Sequence, residues 1–337
     1  MIRKRKTFLD ILRVSAALAV ALYHVLTGAV SLDPTVSEFT ALFMNALSRT
    51  LLWHVPTFLL ITGFLWLSDE KECTFSKVLP GIRRFVLVLF TVGLAYALLE
   101  RFFDYRYFSL ELFGRSVFDV LTGNLWDHMW YVYAVIGIYL VLPILKPYFG
   151  HSSVKNISIL CGILFVFTIL LYNVQYCTGY VFPVSFPMAN PAYPAFYICV
   201  GGLISKITLP KKTPVVGCIA FVLSACSCFA MMMLVPQWVQ WTNIFSCISS
   251  ISLFVTVKTL AENTEEIPWL RCVSECSFGI YLFHQFFINV LLKVFCWYPL
   301  RQVPALSLIG TFLAVTLCAF ALTFLLRKIR WVKKYIL

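Results

Sequence analysis

Charged side chains are scarce in this sequence. Asp, Glu, Lys and Arg make up 12% of it, about half the share of an average soluble domain. Acids are scarcer still, 15 against 27 Lys and Arg. Hydrophobic segments run from end to end, with no long polar stretch to mark a water-soluble module. That deficit excludes the two soluble domains that the length alone suggests. Paired metal ligands are also missing. Twelve cysteines are present, yet no second Cys or His pair follows Cys272 and Cys276 at zinc spacing, so no metal site is expected. Most of the others, among them Cys161, Cys199, Cys218, Cys226, Cys228, Cys247 and Cys318, sit inside apolar runs, where the thiol acts as a small hydrophobe.

What the chain does have is apolar residues, 61% of the total, gathered into ten runs long enough to span a bilayer at about 20 residues each. They fall at 8–31, 41–67, 83–103, 129–148, 156–174, 190–207, 213–234, 241–260, 274–296 and 305–327. The expected fold is therefore an all-α polytopic bundle of about ten transmembrane helices, one membrane-embedded domain over residues 1–337. Arg3-Lys4-Arg5-Lys6 ahead of the first run imitates a secretory signal. Asp10 and Arg13 interrupt that run and it continues too far for a signal, so it is the first spanning helix. Pro56 and Gly63 predict a kinked or broken second span. Residues 104–128 carry a partly helical apolar pattern that suits an interfacial helix.

Ten crossings with a cytoplasmic start place both termini inside. Twenty Lys and Arg then lie on the inner side and five on the outer, with Arg13 and Arg49 inside spans. This is the bias expected of cytoplasmic loops, and it accounts for the net charge of +12 without nucleic acid.

An ionisable residue inside a span costs about 2.5–3.5 kcal/mol at its centre and calls for a reason. The first span holds Asp10, Arg13 and His24, which share one helical face at about 100° per residue. Arg13 can snorkel to the inner headgroups with Asp10 as its partner. His24 lies about 16 Å further along the axis, too deep to do so. Histidine is the side chain best suited to take a proton from a hydroxyl near neutral pH. Arg49 early in the second span, His128 opening the fourth and His284 within the ninth are secondary candidates; for these, as for His54 near Arg49, a structural hydrogen bond is at least as ready a reading as chemistry. Tyr176, Tyr180, Phe182, Phe186, Trp238 and Trp241, in the outer loops and at their edges, suit an aromatic belt or the stacking of sugar rings.

Thr7-Phe8-Leu9-Asp10-Ile11-Leu12-Arg13, ten residues and then His24 resemble the opening of the acyltransferase family 3 membrane proteins, with their basic residue, ten positions and histidine. Val55-Pro56-Thr57-Phe58-Leu59-Leu60-Ile61-Thr62-Gly63-Phe64, Met129-Trp130-Tyr131-Val132-Tyr133, Tyr139-Leu140-Val141-Leu142-Pro143 and Ser277-Phe278-Gly279-Ile280-Tyr281-Leu282-Phe283-His284 continue the likeness in family order. One motif departs. The family's Arg-x-x-Arg pair at the third helix reads Gly81-Ile82-Arg83-Arg84 here, so that Arg84 matches the second arginine while Arg83 or Lys77 would stand in for the first.

The resemblance implies a multi-pass enzyme of a bacterial cell membrane. Such an enzyme moves an acyl group, usually acetyl, from acetyl-CoA or another acyl-CoA to a hydroxyl of an envelope glycan or other acceptor. His24 would be the catalytic base or an acyl-histidine relay. Arg13, Arg83 and Arg84 would receive the CoA phosphates, with Asp10 orienting Arg13. A transporter or exporter of an amino acid or polysaccharide, built on the same fold without acyl transfer, is the alternative.

Overall fold

In hydrocarbon every backbone N–H and C=O must find its partner within the chain, so runs of this length fold as helices. The structure, a computed structural model, describes residues 5–69, 72–180, 189–237 and 242–337. Among the described residues it is helical, without strands. Eight helices are long and apolar enough to cross a membrane. They are α1 (Thr7–Ser31), α4 (Phe75–Tyr105), α6 (Asp127–His151), α7 (Val154–Gln175), α9 (Thr213–Leu234), α10 (Ile244–Ala261), α11 (Pro268–Val294) and α12 (Pro304–Leu326).

The second and sixth expected spans are not among these eight. The second is divided into α2 (Glu38–Arg49) and α3 (His54–Trp66) by the turn at 50–53. The sixth is the 18-residue helix α8 (Ala189–Lys206). The interfacial helix is α5 (Leu110–Thr122). Ser109 caps it by accepting from the Leu112 N–H at 3.1 Å, and Gly123 ends it at φ 80°, a backbone angle that favours glycine. A short α13 (Arg330–Tyr335) follows α12.

The chain groups into two compact units. The first comprises residues 1–68 and 152–324. Within it α1 packs against α2, α3, α10 and α11, so the helix that carries Asp10, Arg13 and His24 is also the most enclosed of the eight. Small residues let these helices approach, as membrane packing requires. A Cβ on Gly63 would run into the Ile198 carbonyl of α8, and one on Gly201 into the Leu60 carbonyl of α3. Between α9 and α10, Gly217 lies against the Thr256 hydroxyl. The second unit comprises residues 69–151 and 325–337, with α4 packed on α6 and Gly81 under the Tyr139 ring.

Helices α1 and α11 run parallel, as three contacts taken in order show. Asp10 meets Ser274, His24 meets His284, and Gly28 faces Ile288 and Leu292, whose side-chain carbons would stand 3.3 Å from a Cβ placed there. That shared direction sets the level at which the polar residues of the two helices meet.

Candidate active site

The α1–α11 seam is polar at its start. Asp10 is buried, and Arg5 grips it with two bonds, Nε to Oδ2 at 2.7 Å and Nη2 to Oδ1 at 2.8 Å. The Ser274 hydroxyl donates to Asp10 Oδ1 at 2.6 Å. Arg13 reaches the same oxygen only at 3.4 Å. A bidentate guanidinium–carboxylate pair is the stronger arrangement, so the chief partner of Asp10 is Arg5. The Asp10 carboxylate also raises the Arg5 pKa above its ordinary value. Glu275 joins Arg5 at 3.2 Å to Arg271 at 2.9 Å, and Arg271 continues to Glu266 at 2.7 Å. Arg13 is half-buried beside this network.

Three turns beyond Arg13, the His24 and His284 rings lie 5.0 Å apart between centroids, tilted by 41°. His284 is fully buried. Its Nδ1 lies 2.7 Å from the Tyr281 carbonyl and 3.2 Å from that of Ile280, contacts that require Nδ1 to carry the proton. In the neutral ring this leaves the lone pair on Nε2. Tyr23 sets its ring edge-on to His24 at 5.0 Å and packs against His54 at 5.4 Å. The break between α2 and α3 thus brings His54, the first residue of α3, beside the same tyrosine. No structural hydrogen bond forms at His54: both ring nitrogens are buried without a partner among the described residues.

The far end of the seam is closed by a second ion pair. Arg301 donates to Asp33 through Nε at 2.9 Å and Nη2 at 2.6 Å, and Thr35 adds its N–H at 3.0 Å and its hydroxyl at 2.7 Å. The Arg301 guanidinium holds the Asp33 carboxyl far below the usual carboxylate range, and Asp33 in turn raises Arg301. The histidines therefore sit between two fixed ionic ends.

The remaining candidates stand elsewhere. Arg49 closes α2, where a cation suits the negative end of the helix dipole. In the second unit Arg83 is exposed on α4. Arg84 there donates to the main-chain oxygens of Ile336 at 3.2 Å and Leu337 at 2.7 Å. His128 is buried in that unit near Tyr96 and Trp126, whose rings stack at 4.2 Å. Of the aromatic residues expected in the outer loops, Tyr180 is exposed. Phe182, Phe186, Trp238, Trp241 and the side chain of Tyr176 lie outside the described residues. Among the described residues no three His, Cys, Asp or Glu side chains gather as a metal would need.

Arg5 and Tyr23 were not legible as site residues. Arg5 reads as one more inner-loop cation, and Tyr23 lies about 100° from His24 on the wheel. Position five before a buried acid is the one signal that points to Arg5.

No curated protein and no solved structure matches the chain. A family model does: that of the acyltransferase domain of family 3 covers residues 6–327 of the 337. The match begins one residue before α1, ends one after α12 and includes every candidate residue the sequence singled out. The chain accordingly belongs to acyltransferase family 3, and it is a membrane acyltransferase.

Proposed function

We propose that the protein transfers an acyl group, acetyl the simplest, from cytoplasmic acyl-CoA to a hydroxyl of an envelope glycan or another cell-envelope acceptor in a bacterial cell membrane. The observation that carries this reading is the His24–His284 pair, ring centroids 5.0 Å apart, within an apolar helix bundle. Acylation of a hydroxyl needs a base that takes its proton, and a positioned imidazole is suited to that.

His24 takes the proton of the acceptor hydroxyl as its oxygen attacks the thioester carbon. The C–S bond then breaks, and the protonated imidazole returns the proton to the leaving thiolate. CoA departs as the thiol, the acceptor leaves as an ester, and His24 is regenerated. His284, with its N–H directed to the chain's own carbonyls, supports His24 as a fixed neighbour.

Arg13 is the proposed partner of the CoA phosphates in the first unit, since a guanidinium pairs well with phosphate. Arg5 occupies both Asp10 oxygens, and Arg13 touches one of them at 3.4 Å. The eleven residues from Arg13 to His24 span about 16 Å, a distance an extended pantetheine arm can cover. Family likeness extends phosphate binding to Arg83 and Arg84, each testable through the KM for acetyl-CoA of its Ala variant.

The test compares envelope glycans by mass spectrometry in cells with the protein, without it, and with His24→Ala. An added acetyl mass that vanishes in the His24→Ala cells, at equal amounts of folded protein, is the expected result. Acetylation that persists in that variant would overturn His24 as the base. Substrate flux without any need for acyl-CoA would overturn the transfer reading itself.

A further inference from the structure

His54 is a buried imidazole that finds no hydrogen-bond partner among the described residues. Its ring nitrogens Nδ1 and Nε2 are both enclosed, and among the described residues nothing donates to or accepts from either. Native interiors leave few such groups alone, and each exception needs an explanation. Local structure does not provide one. His54 begins α3 with its backbone N–H on the Leu51 carbonyl at 3.2 Å, and its ring takes no part in capping that helix. The ring packs against Tyr23, which in turn touches His24.

Acyl transfer creates a demand that fits this group. When the acceptor oxygen attacks the thioester, the carbonyl π pair moves onto oxygen, and that oxyanion needs a donor already in place. His284 cannot serve through its N–H, which is directed to the carbonyls of Tyr281 and Ile280. The N–H of His54 has no acceptor among the described residues.

We infer that His54 is a further catalytic residue, donating its ring N–H to the thioester carbonyl oxygen and stabilising the oxyanion while His24 carries the proton. The inference rests on the acyl-CoA reading above. As the tetrahedral intermediate collapses, the oxyanion pair reforms C=O, the C–S bond breaks, and His54 releases a neutral ester carbonyl. His54 exchanges no proton over the cycle.

The experiment uses membranes containing the full chain, given radiolabelled acetyl-CoA, with label in the envelope glycan fraction as the readout. Wild type is compared with His54→Leu and His54→Gln for kcat, KM for acetyl-CoA and thermal stability. His54→Leu should lower kcat by about 10²–10³-fold, as loss of one oxyanion donor does. KM should hold within about twofold, because the interaction belongs to the transition state. Its Tm should be unchanged or higher, since an apolar side chain replaces two unpartnered polar atoms. His54→Gln restores an N–H and should recover at least about tenfold of the loss.

Wild-type kcat in His54→Leu, a kcat loss matched by a lower Tm, or a Gln variant no better than Leu would overturn the assignment. Wild-type protein that incorporates no label would overturn the acyl-CoA reading and this inference with it. An active wild type with an equally active His54→Leu overturns the inference alone.

Discussion

His24 and His284 reach each other from near opposite ends of the chain, their ring centroids 5.0 Å apart, because α1 and α11 run parallel in one seam. His284 is held by the Tyr281 and Ile280 carbonyls of its own helix through Nδ1. Asn carries an amide N–H near the Nδ1 position and nothing at Nε2. His284→Asn should therefore keep the fold, with Tm close to wild type, while kcat falls about 10²-fold, the scale of a catalytic group displaced by about 1 Å, because His24 loses the ring that fixes it. Acetyl transfer at the wild-type rate in this variant would reduce His284 to a packing residue.

The Asp33–Arg301 pair gives a pH prediction with a definite sign. Arg301 depresses the Asp33 carboxyl in the folded state, so folding releases a proton that the unfolded chain would keep. The stability it contributes is present above the ordinary carboxylate pKa of about 4 and is lost as pH falls toward the lower folded value. In detergent, Asp33→Asn should melt below wild type at pH 7, and the two curves should converge as pH drops below about 4. Parallel curves throughout that range would show that the pair does not set the acid limb.

The spans were legible because lipid demands apolar runs of about 20 residues, and those survive any detail of packing. The broken second span was legible too, but for partly different reasons. Pro56 stands in the first turn of α3, where its missing N–H breaks no hydrogen bond, and Gly63 marks the close approach of α8. The interruption itself falls at 50–53, where no proline or glycine announces it. At the site, helical spacing put Asp10, Arg13 and His24 on one face. It could not say what that face meets, since Ser274 and His284 lie far along the chain. Nor does a wheel record how far a side chain reaches, so Tyr23 and Arg5 were lost.

The glycine contacts make a sharper stability test than any surface change. A methyl at Gly63 or Gly201 would enter the space of a backbone carbonyl, which has no rotamer to give way. Either Ala variant should lose more than the about 1–3 kcal/mol of ordinary overpacking. Gly162, on an exposed face of α7 with nothing within 4 Å of its Cβ position, is the control. Gly162→Ala should be neutral or more stable by about 0.5–1 kcal/mol through helix propensity. Thermal melts of the purified chain compare the three.

The two arginines around Asp10 should separate structure from substrate binding. Arg5 holds both carboxylate oxygens at 2.7 and 2.8 Å, whereas Arg13 touches one at 3.4 Å. Residues in one ion pair couple in a double-mutant cycle, and unlinked ones add within about 0.3–0.5 kcal/mol. Asp10→Asn should thus couple strongly with Arg5→Ala in Tm and much more weakly with Arg13→Ala. Arg13→Ala alone should raise the KM for acetyl-CoA about tenfold, the scale of one lost charge-assisted bond, and leave Tm nearly unchanged. Should Asp10 instead serve to aim Arg13, Asp10→Asn would raise that KM as much as Arg13→Ala does, and the double variant would be no worse than either. Measuring KM and Tm on wild type, the three single variants and the two double variants decides between the two, because the geometry predicts that the KM effect follows Arg13 and the stability effect follows Arg5.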